Sequence, residues 1–240
     1  MQNLHMSTCK FTSVIDVLRV LQICDSNFPI GSFNHSFGME SYLRNNKIID
    51  VSTMKNWLNV YLNNVFIYSD GLAIRMLYEY LDNNLMDEIL DLDRKLTVQS
   101  IAKETREGSK LIAGRMISLF KELYSNELLI FYENKICNEE ASGHPAIVFG
   151  MLMYNFKFSL EEAINFHMYS TISTLIQNAV RAIPLGQKDG QMLIKDMCEN
   201  FNKLYRKIIN MDYNLLGGCS PGIELSQINH EILEFRLFMS

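Results

Sequence analysis

The segment QNAVRAIPLGQKDGQ, residues 177–191, is a glycine-containing turn ahead of a helical pattern. In such a setting, backbone N–H groups at a helix start can cradle a phosphate. A phosphate loop of the G-x-x-x-x-G-K-[ST] type also needs a lysine directly after its second glycine. Here Lys188 comes before Gly190. The lysine spacing therefore argues against an intrinsic nucleotide site.

The same segment fits a corner between two helices. Pro184 disfavours helical geometry at Ile183, and Gly186 gives the following turn more backbone freedom. Asp189 supplies a side-chain acceptor for the free N–H groups at the start of the next helix. We therefore predict a structural turn here.

Histidines and cysteines are the residues that could bind a metal. No two histidines stand three or four residues apart, and none is at zinc-finger spacing from a cysteine. His144 with Cys137, or His230 with Glu231, could pair at a surface, but ordinary hydrogen-bonded histidines explain both pairs better. We predict no metal site. The histidines of the chain are His5, His35, His144, His167 and His230.

Cys219, within LGGCSPG, is the one cysteine that we expect to be exposed, which makes it the best candidate nucleophile. A reactive thiol needs a neighbour that lowers its pKa, and the surrounding sequence offers none. Acidic pairs such as Glu139–Glu140 fit a solvated surface. We therefore predict no catalytic residue and no bound cofactor.

Length and composition indicate a globular protein. The chain has 240 residues, of which 48% are hydrophobic and 20% charged, well outside the disordered range. A net charge of −5 argues against a nucleic-acid surface, and the longest apolar stretch, which begins at Pro145, is too short to cross a bilayer. Five scattered cysteines without a C-x-x-C pair are typical of a reduced compartment, so we expect a cytoplasmic protein.

Apolar residues recur at steps of three and four along most of the chain, which predicts helices. The clearest pattern begins at Ser159, where Ser159 and Glu162 fit a capping box, and continues to Ile183. A second pattern runs from Ile194 to Ile209. The fold class is therefore all-α, a single domain of about ten helices over residues 1–240. The other predicted helices cover residues 13–24, 33–45, 52–67, 70–82, 84–97, 99–124, 145–156 and 224–237.

Three segments lie outside this pattern. Residues 125–144 are predicted to contain a long loop, residues 1–12 a mobile N-terminus, and residues 234–240 a tail. Burying Leu237 and Phe238 yields roughly 3–6 kcal/mol, whereas ordering the last residues costs about 1–2 kcal/mol each. Because these terms nearly cancel, we expect the tail to be mobile alone and ordered only against a partner.

The segment DSNFPIGSFNHSFGMES, residues 25–41, places three phenylalanines among Gly, Ser and Asn. Pro29 and Gly31 force a bend in it. Two interpretations remain open, a core-facing connection between the first two helices and the wall of a binding site.

Three separated motifs, in the same order, resemble the urease accessory protein UreF family. They are LQICDSNFPIGSFNHSFGMESYL at 21–43, AVRAIPLGQKDGQ at 179–191 and SQINHEILEFRLFMS at 226–240. Length and helical character also agree from near residue 13 to the end, while residues 83–144 add no motif. The resemblance implies an all-α protein, usually a homodimer, without catalytic activity of its own.

The same resemblance implies partners. UreF proteins join the accessory protein UreD, called UreH in some organisms, and the GTPase UreG on apo-urease, where nickel is delivered to an active site that contains a carbamylated lysine. A UreF-like protein is expected to bridge the other two, recruit UreG and influence its GTP hydrolysis.

The resemblance assigns partner contacts to three places. Phe33 is an aromatic position that is often tyrosine in the family, so any hydrogen bond through that hydroxyl is absent here and only packing remains. Gln187 and Asp189 are expected to fix the turn, with UreG contact as a second possibility. The end of the sequence is expected to contact the UreD-like protein or brace the UreG-binding surface. The partner-binding candidates are Phe33, His35, Phe37, Gln187, Asp189, His230, Glu231, Arg236, Leu237, Phe238 and Ser240.

Two alternatives to a scaffold remain. One is a helical enzyme or small-molecule-binding protein whose pocket is lined by residues 25–41. The other is direct nickel carriage through His or Cys at a dimer interface.

Overall fold

The computed structural model describes residues 13–183 and 185–240. The N-terminal residues predicted to be mobile, and Pro184 in the corner, lie outside the described residues. The described part of the chain is built from α-helices and short 3-10 turns and contains no strand, so the all-α class is confirmed. The α-helices are α1 (Val14–Ile23), α2 (Met39–Arg44), α3 (Val51–Asn64), α4 (Asp70–Asp82), α5 (Met86–Gln99), α6 (Lys103–Leu123), α7 (Glu127–Cys137), α8 (Pro145–Asn155), α9 (Leu160–Ala182), α10 (Gln187–Cys198), α11 (Phe201–Ile209) and α12 (Pro221–His230).

Helix α8 forms the centre of the hydrophobic core. Its residues from Ala146 to Met153 are all buried, as expected for a helix that is apolar on every side. Helices α4, α6, α7 and α9 pack around it. The approach of α4 is close, because a Cβ atom on Gly150 would lie 2.5 Å from the Leu77 side chain. Pro145 begins the helix, and the His144 side chain accepts a hydrogen bond from the backbone of Ala146.

Helix α9 begins at a capping box and carries buried polar residues along its length. The predicted capping box is present, since the Ser159 hydroxyl accepts from the Glu162 backbone at 3.3 Å and the Glu162 carboxylate accepts from the Ser159 backbone at 2.8 Å. The helix ends at Ala182, and the next residue, Ile183, has a φ of −128° and a ψ of 159°, the extended values expected before a proline. The buried residues His167 and Asn178 lie along it.

The prediction of a long loop over 125–144 is wrong in its middle, where α7 forms. Asn126 caps this helix by accepting from the Leu129 backbone at 3.2 Å. Leu129 and Tyr132 are its buried residues, and the Tyr132 hydroxyl donates to the buried Asp93. Sequence reasoning missed α7 because one short buried edge gives a weak helical period.

Other boundaries also differ from the prediction. Helix α2 covers only the end of the predicted 33–45 helix, because Phe37 and Gly38 have left-handed φ values of 50° and 93°. The second long pattern divides into α10 and α11 at residues 199–200. Helix α12 ends at His230 rather than 237, which leaves a ten-residue tail, residues 231–240.

Candidate functional site

The first and third motifs come together beside the start of α6. Left-handed backbone at Phe37 and Gly38 reverses the chain and lays α2 against α12. The fit is tight, because a Cβ atom on Gly38 would lie 2.4 Å from the Ser226 hydroxyl. Any side chain at Gly38 would therefore push α12 away. This packing places Glu40, on α2, under the tail.

Glu40 is the residue that holds the tail. Its side chain is fully buried, and its two oxygens accept from the backbone N–H groups of Leu237 at 2.8 Å and Phe238 at 3.0 Å. The same carboxylate lies 3.0 Å from the His230 ring and accepts from Arg44 at 3.2 Å. Burial opposes ionisation of Glu40, but these hydrogen bonds outweigh it and lower the pKa of its carboxyl.

His230 is also fully buried and lies between two carboxylates. Nε2 is 3.0 Å from Glu40, and Nδ1 is 2.7 Å from Glu104 on α6. Burial opposes ionisation of Glu104 too, but hydrogen bonds from His230 and Arg236 outweigh it and lower its pKa. An ionised carboxylate only accepts hydrogen bonds, so in each of these two contacts the donor is the ring nitrogen.

Arg236 and Glu231 fasten the end of α12 to α6. The Arg236 guanidinium forms an ion pair with Glu104 and donates to the backbone oxygens of Glu231 at 2.7 Å and Leu233 at 3.0 Å. The Glu231 carboxylate accepts from the Lys103 backbone, at the first turn of α6, at 2.7 Å. An acceptor there satisfies an N–H group that the helix itself leaves free. We call Glu40, Glu104, His230 and Arg236 the tail anchor.

The last residues pair with the first motif. Met239 donates its backbone N–H to Asn34 at 2.7 Å, and Ser36 donates to the backbone oxygen of Ser240 at 2.5 Å. The Ser240 hydroxyl lies 2.7 Å from Nδ1 of His35. The pKa of His35 is lowered by burial and by the charges of Arg115 and His230.

The expectation that the tail orders only against a partner is therefore wrong for the folded chain. That balance counted only the burial of Leu237 and Phe238 against chain entropy. It left out charge-assisted hydrogen bonds, which contribute about 1.5–3 kcal/mol each. The structure also corrects the hydrophobic part, because Phe238 is 8% exposed but Leu237 is 62% exposed.

Side chains of the seated tail alternate between inside and outside. Phe238 and Ser240 point inward, while Leu237 and Met239 point outward. Other exposed apolar side chains lie on α12 and in the turn after it. We call these exposed side chains together the tail face; its members are Leu225, Ile228, Ile232, Phe235, Leu237 and Met239.

The predicted corner between α9 and α10 is present, but its glycines act differently from the prediction. Asp189 accepts from the Gly186 backbone at 3.2 Å, which confirms it as the acceptor at the helix start. Gly186 has a φ of −73°, so the extra freedom of glycine is not used there. Gly190 is the constrained glycine, since a Cβ atom on it would lie 3.0 Å from Val180. Gln187 is exposed and available to a partner.

The last turn of α9 links the corner to the first motif. Asn178 donates its side-chain amide to the His35 backbone oxygen at 3.0 Å. Arg181 donates to the Phe33 backbone oxygen at 3.2 Å, and its guanidinium lies 5.6 Å from the centre of the Phe33 ring. Phe33, at 39% exposure, thus packs against a cation at the surface, which agrees with the packing role expected of it.

Sequence reasoning missed Glu40, Glu104 and Asn178 as site residues. One signal was available for Glu40, a single carboxylate in the otherwise uncharged stretch FPIGSFNHSFGMES. The interpretation of the sequence as lacking a G-x-S-x-G motif is wrong, because GCSPG at 218–222 matches it. Ser220 there follows the 3-10 turn Tyr213–Leu215 rather than a β-strand, so the strand–turn–helix setting of a serine nucleophile is not met.

Within residues 13–183 and 185–240, no three His, Cys, Asp or Glu side chains are placed to share a metal ion. None of the helices in that described part is long and apolar enough to cross a membrane. Cys219 is exposed as predicted, but Cys137 is exposed as well, so the expectation of a single exposed cysteine is wrong. A hydrogen bond with Glu224 raises the pKa of the Cys219 thiol, which leaves less of the reactive thiolate.

The family model and the similar proteins found by comparison all have the same name. The UreF family model matches residues 48–198. The chain is 43% identical to the urease accessory protein UreF of Streptococcus salivarius over 95% of this chain and 96% of that one. It is 41% identical to the urease accessory protein UreF of Lachnoclostridium phytofermentans (93% and 98% covered) and 40% identical to that of Bacillus sp. strain TB-90 (93% and 99% covered).

Proposed function

This chain belongs to the UreF family of urease accessory proteins, and we propose that it serves urease maturation as a non-catalytic scaffold that joins a UreD-like protein to a UreG-like GTPase on apo-urease. The observation that carries the proposal is the position of the tail. The tail anchor holds its inner side, and its outer side exposes apolar side chains. Such an arrangement prepares a binding surface before a partner arrives.

We assign the tail face to the UreD-like protein. Its six apolar side chains are 38–80% exposed, with Ile232 and Phe235 the most exposed. Exposed apolar side chains concentrated within residues 225–239 are typical of a surface that contacts another protein. Because the anchor holds the backbone beneath it, the partner meets a preordered surface and binding costs less conformational entropy.

We assign the corner and its neighbours to the UreG-like GTPase. Gln187, Lys188 and Arg181 are exposed there, and Phe33 lies beneath the Arg181 guanidinium. This surface is connected to the tail by a short series of contacts, from Arg181 and Asn178 to Phe33 and His35 and from His35 to Ser240. The two partner surfaces therefore share one supporting segment.

A homodimer is part of the proposal, and we assign it to the outward side of α1. Val14, Ile15, Leu18 and Leu21 are 58–77% exposed and form one apolar stripe. Arg19 is paired with Asp16 at 2.9 Å within the helix, so the stripe is not interrupted by an unpaired charge. The occupant that we propose is the same stripe of a second copy, which can be tested by comparing the mass in solution of the wild type and Leu18→Asp.

Regulation of the GTPase requires that the scaffold distinguish its nucleotide states, because equal affinity for both states shifts nothing. Pull-down with GTP-loaded and GDP-loaded UreG should recover unequal amounts. Equal recovery would remove GTPase regulation from the proposal while leaving the bridging role.

Co-expression with UreD and UreG from the same genome tests the scaffold itself. The wild type should form a ternary complex, and Phe235→Ser, which alters only an exposed side chain of the tail face, should lose UreD. Leu123→Ser is the matched control, because Leu123 is 43% exposed and lies at the far end of α6, roughly 30 Å from its start. A complex that survives Phe235→Ser, or fails equally with Leu123→Ser, would contradict the assignment.

Nickel carriage through His or Cys at a dimer interface remains an alternative, which equilibrium dialysis against nickel tests.

A further inference from the structure

Helix α11 presents three cations on one exposed face. Lys203, Arg206 and Lys207 stand three and four residues apart, which places them on the same side of the helix. All three are exposed. They line one shallow depression of the surface together with Glu199, Asn202 and Asn210. We call Lys203, Arg206 and Lys207 the basic face of α11.

The charges of the basic face are not balanced by carboxylates. Within residues 13–183 and 185–240, none of the three cations forms an ion pair. Lys207 donates to the neutral side chain of Asn63 at 2.7 Å. Glu199, the acid in the same depression, is paired with Lys195 at 2.7 Å, so its charge is directed elsewhere. The three positive charges therefore face solvent and can meet an anion from another molecule.

Helix stability accounts for only part of this arrangement. Lys203 is the third residue of α11, where a cation opposes the helix dipole. Like charges three or four residues apart destabilise a helix further. The dipole does favour Arg206 and Lys207 in the last turn. The carbonyl groups there already have a cation, however, because the Arg75 guanidinium donates to the Ile208 backbone oxygen at 2.9 Å.

The surroundings of the basic face favour an acidic protein segment over a membrane or a nucleic acid. Helices that lie on membranes carry exposed apolar side chains beside their cations. The apolar residues Phe201, Leu204 and Ile208 of α11 are buried instead. Sites for single-stranded nucleic acid add exposed aromatic rings, and no large apolar side chain between residues 199 and 210 is exposed. The net charge of −5 also repels a long polyanion.

We propose that the basic face of α11 is a docking surface for an acidic segment of a partner protein. Carboxylates along such a segment neutralise the three cations together, and the Arg206 guanidinium can hold one of them through two parallel hydrogen bonds. The exposed amide of Asn202 adds a neutral donor. The face from Asn202 to Asn210 is about 12 Å long, so about four extended residues cover it. None of its residues belongs to the tail face, the corner or the stripe on α1.

Titration of labelled octaglutamate with the isolated chain, followed by the fluorescence anisotropy of a rhodamine label on the peptide, tests this proposal. We expect saturable binding that weakens as the salt concentration rises, because the contacts are exposed ion pairs. The triple variant Lys203→Gln/Arg206→Gln/Lys207→Gln should bind at least tenfold more weakly.

A second triple variant controls for the change in net charge. Arg94→Gln/Lys95→Gln/Lys121→Gln removes the same number of positive charges, but from side chains that are paired with Asp91 or Glu133. Its affinity for octaglutamate should change less than threefold. Absence of saturable binding, unchanged affinity in the first triple variant, or an equal loss in the second would overturn the proposal. Tighter binding of octathymidylate or of phosphatidylserine vesicles would overturn it as well, by assigning the face to a nucleic acid or a membrane.

The free energy of unfolding provides a second readout. Lys203→Gln removes a cation from the first turn and from two like-charged neighbours, so it should leave the stability of the chain unchanged or raise it. A loss of stability would show that this cation serves the fold, which would contradict the proposal. Neither UreD nor UreG is present in these measurements, so their outcome is independent of the scaffold proposal.

Discussion

The tail anchor and the corner both belong to sequence motifs of the UreF family, yet they are held in opposite ways. The turn of the corner depends on contacts between near neighbours, such as Asp189 with Gly186, three residues apart, and Arg181 at its edge adds one contact with the distant Phe33. The tail anchor joins Glu40 to His230 across 190 residues and to Phe238 across 198. Motif residues that contact one another fix a local turn, whereas motif residues that contact a distant motif hold two separate segments of the chain together.

The largest effect should follow from breaking the tail anchor at its centre. Glu40→Leu keeps much of the volume but leaves the His230 ring and two tail N–H groups without their acceptor. Removing one partner of a buried charge pair costs about 3–5 kcal/mol, so the free energy of unfolding in urea should fall by that amount. Glu107→Leu, an exposed glutamate on α6, is the matched control and should change it by less than about 0.5 kcal/mol.

Hydrogen exchange of residues 235–240 should rise in Glu40→Leu and stay unchanged in Glu107→Leu. If both variants lost the same stability, the anchor would contribute no more than an ordinary surface ion pair, and the contrast with the corner would fail.

Acidification should weaken the anchor without any substitution. Glu40 and Glu104 have folded-state pKa values below their usual ones, so their contribution to stability is fully present above the unfolded pKa of about 4.3. It is lost as the pH falls through the folded values, where both carboxylates become protonated. Urea denaturation of wild type and Glu40→Leu at several pH values isolates the contribution of Glu40. The difference between them should shrink as the pH falls below about 4; a difference that grows over that range would contradict the assignment.

Substitutions of two adjacent tail residues should affect stability and partner binding separately. Phe238→Ala removes a buried ring and should cost about 2–4 kcal/mol, slightly less than the value for a central core site. Leu237→Ala removes an exposed side chain and should change the free energy of unfolding by less than about 0.5 kcal/mol, while weakening capture of the UreD-like protein. Should Leu237→Ala destabilise the chain as much as Phe238→Ala, the inside–outside alternation of the tail would be wrong.

The same contrast explains what the sequence could predict. The helical class and the boundaries of α9 follow from period and caps, and the role of Asp189 follows from its place three residues after Gly186. The anchoring of the tail does not, because no local pattern reveals that Glu40 faces His230 or that Arg236 shares Glu104 with it. Helix α7 was missed for another reason, because only Leu129 and Tyr132 are buried in it and its helical period is weak. The estimate of whether the tail is ordered counted only Leu237 and Phe238. It left out the charge-assisted hydrogen bonds that hold the tail in position.

The smallest effects on stability should come from the corner. Substitutions at its two glycines, Gly186 and Gly190, distinguish a need for backbone freedom from a need for close packing. Gly190→Val places methyl groups against Val180 and Ile176, where a Cβ atom already lies within 3.0 and 3.4 Å, so overpacking should cost about 1–3 kcal/mol. Gly186→Val meets only the Asp189 carboxylate, at 3.3 Å, and has a φ that valine adopts readily. It should cost less than about 1 kcal/mol. Thermal denaturation of the two variants decides between these roles. A larger loss in Gly186→Val would mean that the turn itself, rather than the α9–α10 contact, requires glycine.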